Sequence, residues 1–141
     1  MELVGFFREM EPNNAEVYKE SITNAYGRGG GYETALVSTY LRSGYPILDV
    51  TESTVDAING SFRVPGGSSI LTDGRFVWRE DLATYVDRYS LSLPDSFLDY
   101  IRENNFKVPN VAHGHILELS LSVGELLGFR TDSGAGPRNA T

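Results

Sequence analysis

The chain has 141 residues, 40% apolar and 22% charged, with 12 Lys or Arg against 19 Asp or Glu and a formal net charge of −7. That length suits one domain with a core of its own. Cysteine is absent, which excludes a disulfide framework and any Cys-ligated zinc or iron–sulfur site. The acidic balance argues against a nucleic-acid binder, and no apolar run approaches the ~18 residues of a membrane span.

The start, Met1-Glu2-Leu3-Val4-Gly5-Phe6-Phe7-Arg8-Glu9, lacks the basic opening and long apolar stretch of a signal peptide, so the expected location is cytoplasmic. Residues 1–70 carry nine acids and five bases, and residues 71–141 ten acids and seven bases. The charge is therefore spread along the chain. It serves solubility, or steers the protein toward a basic partner.

Residues 3–8 read as an opening strand. Asn13 with Glu16 forms a capping box, and Ala15, Tyr18, Ile22 and Ala25 or Tyr26 recur at helical spacing, which predicts a first helix stopped by Gly27–Gly31. A second helix is expected from Tyr32 to Arg42 on Leu36, Val37, Tyr40 and Leu41, with Gly44 in a left-handed C-terminal turn. Tyr45–Val50 reads as a strand. Ser53 with Asp56 suggests a short capped helix ended by Asn59-Gly60, and Pro65–Ser69 reads as a turn. Asp73-Gly74 between Ile70-Leu71-Thr72 and Arg75-Phe76-Val77-Trp78 predicts a tight hairpin, with Leu71 opposite Phe76 and Ile70 opposite Val77. Both of its faces are apolar, so it should be buried.

Helices follow at Glu80–Tyr89, with acids in the first turn, and from Pro94 to Asn104 on Phe97, Tyr100 and Ile101. Residues 116–127 fit both strand alternation and a helical face; leucine tilts them toward helix, with Gly128-Phe129 as its stop. Residues 131–141 look like a disordered tail. The expected fold is α+β: one domain over residues 1–130, with a central antiparallel hairpin or sheet packed by several helices.

The chemistry-bearing motifs are weak. His113-Gly114-His115, with Glu118 nearby, falls short of the three or four protein ligands that zinc needs, and a pair of surface or loop histidines accounts for it. The Gly27–Gly31 run lacks the ending of a phosphate loop and does not follow a strand. Pro65-Gly66-Gly67-Ser68-Ser69 is not a nucleophile elbow. No catalytic residue, metal site or cofactor is assigned. Trp78 stands beside Arg79, and Trp and Arg are enriched at binding hot spots. Trp78, Arg79, Glu80 and Asp81, at a strand-to-helix junction, are therefore the candidate partner contacts.

The stretch from Gly66 to Leu82, continuing through Tyr85-Val86 and Tyr89 to Leu93-Pro94 and Phe97, resembles a group of small actinobacterial-type proteins; the resemblance covers about a quarter of the chain and carries no settled activity. In size, charge and composition the chain also resembles bacterial immunity proteins, in general type only. The function expected is a non-enzymatic protein-binding module, an immunity-like inhibitor that covers a basic toxin or effector, without nucleic acid or membrane. Two alternatives stand beside it: a small-ligand binder or enzyme with a pocket lined by His, Ser and Tyr, and a structural or regulatory homodimer.

Overall fold

A computed structural model describes residues 1–129. The expected tail, 131–141, lies outside them. The described residues form a single α+β domain with four α-helices, a four-stranded mixed sheet and a two-stranded sheet. Among them no helix is long and apolar enough to cross a membrane.

The elements in chain order are β1 (Glu2–Leu3), α1 (Thr34–Arg42), β2 (Tyr45–Leu48), β3 (Thr54–Val55), β4 (Arg63–Val64), β5 (Ile70–Thr72), β6 (Phe76–Arg79), α2 (Leu82–Arg88), α3 (Asp95–Glu103) and α4 (His113–Leu126). The main sheet runs β1-β6-β5-β2, with β1 parallel to β6 and the other pairs antiparallel. Pro46 lies on the edge strand β2, where its missing N–H does least harm to the ladder.

Side-chain alternation on β5 and β6 sorts the core into two layers. Leu71, Phe76 and Trp78 face α1, α2 and α3, where they meet Tyr40, Leu41 and Phe97. Ile70 and Val77 face the other way, toward Phe6, Tyr18 and Ile47 and toward Leu119 and Val123 of α4. Trp78 is fully buried and donates its indole N–H to the Leu41 carbonyl at 3.0 Å. Each large apolar side chain buried this way contributes about 1.5–3 kcal/mol.

Several expectations are corrected. The helix expected from Asn13 is absent: residues 13–26 form turns and a short 3-10 helix, Ile22–Asn24. Tyr18 and Ile22 sit at helical spacing but are drawn into opposite layers of the core. Glu9 fixes the alternative path, accepting from the Ser21 hydroxyl and from the Ile22 N–H. The expected opening strand shortens to Glu2–Leu3, because the chain leaves the sheet at Gly5, where an added Cβ would lie 2.8 Å from Leu82.

The helix expected at Ser53–Asp56 is instead β3, paired with β4. Asp56 there organises a turn by accepting from the Ile58 and Ser61 N–H groups. Gly44 has no left-handed conformation. It is needed because a Cβ would stand 2.7 Å from Cζ2 of Trp78.

The hairpin is present, but its register is slid by two residues. Leu71 faces Trp78 and Ile70 faces Arg79. Asp73 widens the turn, since its Oδ1 accepts the Arg75 and Phe76 N–H groups and only Gly74 takes a positive φ. A two-residue slide preserves which side chains share a face, so the expected burial of both faces stands.

The remaining elements agree with the sequence. α1, β2, α2 and α3 lie within two residues of where periodicity placed them, and α4 resolves the ambiguous segment as helix. Phe129 closes α4 by donating its N–H to the Gly124 carbonyl at 2.8 Å.

Candidate functional site

The second layer does not cover its face of the sheet completely. Alternation along β6 puts Arg79 on the same face as Val77, opposite to Trp78. At that end α4 has stopped, and an open cleft of about 390 Å3 remains between its last turn, residues 10–18 and the loop entering β3. Arg79 lines this cleft although the residue is only 4% exposed.

Asp81 holds the guanidinium in place. Arg79 Nε and Nη2 donate to the two Asp81 carboxylate oxygens at 3.1 and 2.8 Å, a bidentate fork. Thr54 adds a hydroxyl donor to Asp81 Oδ2 at 2.9 Å. Thr54 reaches this position only because residue 67 is glycine: an added Cβ there would lie 1.8 Å from Thr54 Oγ1. The Gly67 carbonyl also accepts the Asp81 N–H at 3.0 Å, so the loop before the hairpin anchors the start of α2.

Burial dominates the electrostatics of this cluster. It pushes the Asp81 carboxyl up, against the opposing pull of Arg79. Burial likewise acts against the Arg79 charge, but the attraction of Asp81 outweighs it and the guanidinium stays charged. The Tyr18 ring lies 5.8 Å from the guanidinium carbon, and burial raises its hydroxyl above the ordinary tyrosine value. The two contacts to Asp81 use two of the five guanidinium N–H groups. Tyr18 is a further hydrogen-bond partner of the guanidinium, and the remaining N–H groups make no hydrogen bond to any described residue. They belong to a buried side chain that lines an open cleft.

The rest of the cleft is mixed in character. Met10, Leu127 and Phe129 give it an apolar side; Asn13, Ser53 and Ser68 offer polar groups; Glu11 and Glu52 are exposed acids at its rim. A second hollow, of about 190 Å3 beside β1, has Glu20 as its one charged lining residue among the described residues.

Of the four residues singled out as partner contacts, Trp78 is fully buried, Asp81 is 1% exposed and Glu80 is half-buried. The expected surface patch is therefore corrected to a buried one: β6 is an inner strand covered on both faces. Of the four, Arg79 lines the cleft and Glu80 keeps partial exposure to solvent. The sequence did not point to Tyr18, Glu11 or Glu52 as site residues: the helical spacing assigned Tyr18 to a helix that is absent, and Glu11 and Glu52 lie in stretches without a periodic signal.

His113 and His115 lie in the first turn of α4 and do not line the cleft. His115 Nε2 is 2.7 Å from the Gly74 carbonyl and pins α4 to the hairpin turn. Among the described residues no group of three or more His, Cys, Asp or Glu is placed to hold a metal ion. Ser69, next to the lining Ser68, donates to the Val50 carbonyl and accepts the Val50 N–H, a structural task.

Comparison with family models, curated proteins and solved structures found no match for this chain.

Proposed function

We propose that the protein is a non-enzymatic binding module, immunity-like in type, that engages a basic protein partner, such as a toxin or effector, through the cleft above Arg79. One observation carries this reading: a buried arginine with uncommitted N–H donors opens onto a cleft rimmed by acids. Desolvated donors without an acceptor cost free energy, and a bound partner that brings acceptors recovers it. The net charge of −7 favours encounter with a basic surface and speeds association.

The small-ligand alternative draws support from the volume of the cleft, which falls within the range of small-molecule sites. The acids at an open rim favour the larger, basic partner.

The test is affinity capture at low salt, comparing the native chain with Asn13→Trp. Asn13 is exposed and lines the cleft, so a tryptophan there fills the cleft without entering the core. A basic protein retained by the native chain and lost with Asn13→Trp is the expected result. Retention of the same proteins by both chains would overturn the reading.

A further inference from the structure

The charges in the cleft separate into two zones. At the floor, Asp81 lies against Arg79 at 2.8 Å and cancels its charge, so the floor offers N–H donors with no net positive field. At the rim, Glu11 and Glu52 make no ion pair with any described residue, and among the described residues Arg79 is the only basic one lining the cleft.

A free anion fits this arrangement poorly, because it would gain donors but face two like charges. A neutral carbonyl gains the same donors without that repulsion, and a cation gains the rim. The cleft also has an apolar lining of Met10, Leu127 and Phe129. It suits the methylene stem of a long basic side chain, which packs on apolar surface while its head stays in water.

We infer that the cleft receives a single Lys or Arg residue of an extended peptide segment: its backbone carbonyl accepts from Arg79, its stem lies along Met10, Leu127 and Phe129, and its cationic head reaches Glu11 and Glu52. The inference rests on the proposed binding function and specifies what part of the partner enters. The donors at the floor read the main chain, and the acids at the rim read the side chain. A polypeptide is favoured over a small cation because the floor and rim groups are satisfied together only by a molecule that carries both a carbonyl and a distant positive charge.

The test is an NMR titration of the full chain with acetyl-Gly-Arg-Gly-amide, with acetyl-Gly-Glu-Gly-amide and with agmatine. The arginine peptide should shift the Ser53, Thr54 and Ser68 amides saturably, and the glutamate peptide should leave them unmoved. The double variant Glu11→Gln with Glu52→Gln changes only exposed side chains and should weaken the arginine peptide about tenfold. Equal binding by the glutamate peptide, by agmatine or by the double variant would overturn the inference, as would no shift at all. Should Asn13→Trp abolish partner capture while the arginine peptide fails to bind, the binding function stands and this mode of recognition falls.

Discussion

Tyr40 donates its hydroxyl to Oδ2 of Asp73 at 2.6 Å, across 33 positions of sequence, with both residues almost fully buried. The bond ties α1 to the hairpin turn. Burial, reinforced by the carboxylate, pushes the Tyr40 hydroxyl far above its ordinary value, so it remains a donor at any ordinary pH. Tyr40→Phe removes that donor and leaves a buried carboxylate with one partner fewer. The expected cost is about 1.5–3 kcal/mol, read as a drop in the urea midpoint; an unchanged midpoint would refute the role given to this bond.

The Arg79–Asp81 pair should behave as a unit. Removing either partner strands a charge with almost no solvent around it, at a cost of about 3–5 kcal/mol. Replacing both, as Arg79→Met with Asp81→Leu, should cost clearly less than the two single changes added together. Urea unfolding of the four chains measures the coupling, and simple additivity would mean that the pair is not coupled.

Two glycines are held by close approach. At Gly44 an added Cβ would meet Cζ2 of Trp78 at 2.7 Å and the Thr72 carbonyl at 3.2 Å, and a backbone atom cannot step aside. Gly44→Ala should cost about 1–3 kcal/mol. Gly67→Ala should also displace Thr54 from Asp81, so its melting temperature should fall further than that of Gly44→Ala.

Acid should destabilise the fold through Asp56 and Glu9. Burial alone would raise the Asp56 carboxyl, but the Tyr89 hydroxyl and the Ile58 and Ser61 groups that donate to it prevail and hold it below its ordinary value. Glu9 is lowered in the same way: burial is outweighed by the Ser21 hydroxyl and the Ile22 N–H. A carboxyl depressed in the folded state binds its proton more readily once unfolded. Its stabilisation is complete above the ordinary carboxylate range and is lost as pH falls through the folded value. The urea midpoint should therefore drop on acidification, and less steeply in Asp56→Asn. Identical acid limbs for the two chains would contradict this.

The elements legible in the sequence were those whose apolar residues serve a single layer. α1 and α3 send their stripes into one core, so spacing alone placed them. Residues 13–26 have the same spacing, but Tyr18 and Ile22 are claimed by opposite faces of the sheet, and a local rule cannot see that division. The hairpin register escaped for a related reason. Asp73 is fixed by Tyr40, a distant residue, and the turn preferences of Asp-Gly gave way to that contact. Arg79 and Asp81 stood out by residue type, but as surface groups. Their burial depends on β6 being an inner strand, which requires β1 from the far end of the chain.

The cleft is lined by residues from 10–18 and by residues 127 and 129, so two stretches far apart in sequence meet there. These same stretches contribute Met10, Val17, Tyr18 and Leu127 to the second layer over Ile70 and Val77, beside Leu119 and Val123 of α4. Local opening of this layer would bare one face of the sheet while the layer built by α1, α2 and α3 stayed closed, giving amide hydrogens in α4 a route to exchange that does not require global unfolding. An occupant wedged between the two stretches would fasten them together, and its arrival would register as slowed exchange along α4, well away from the atoms it touches.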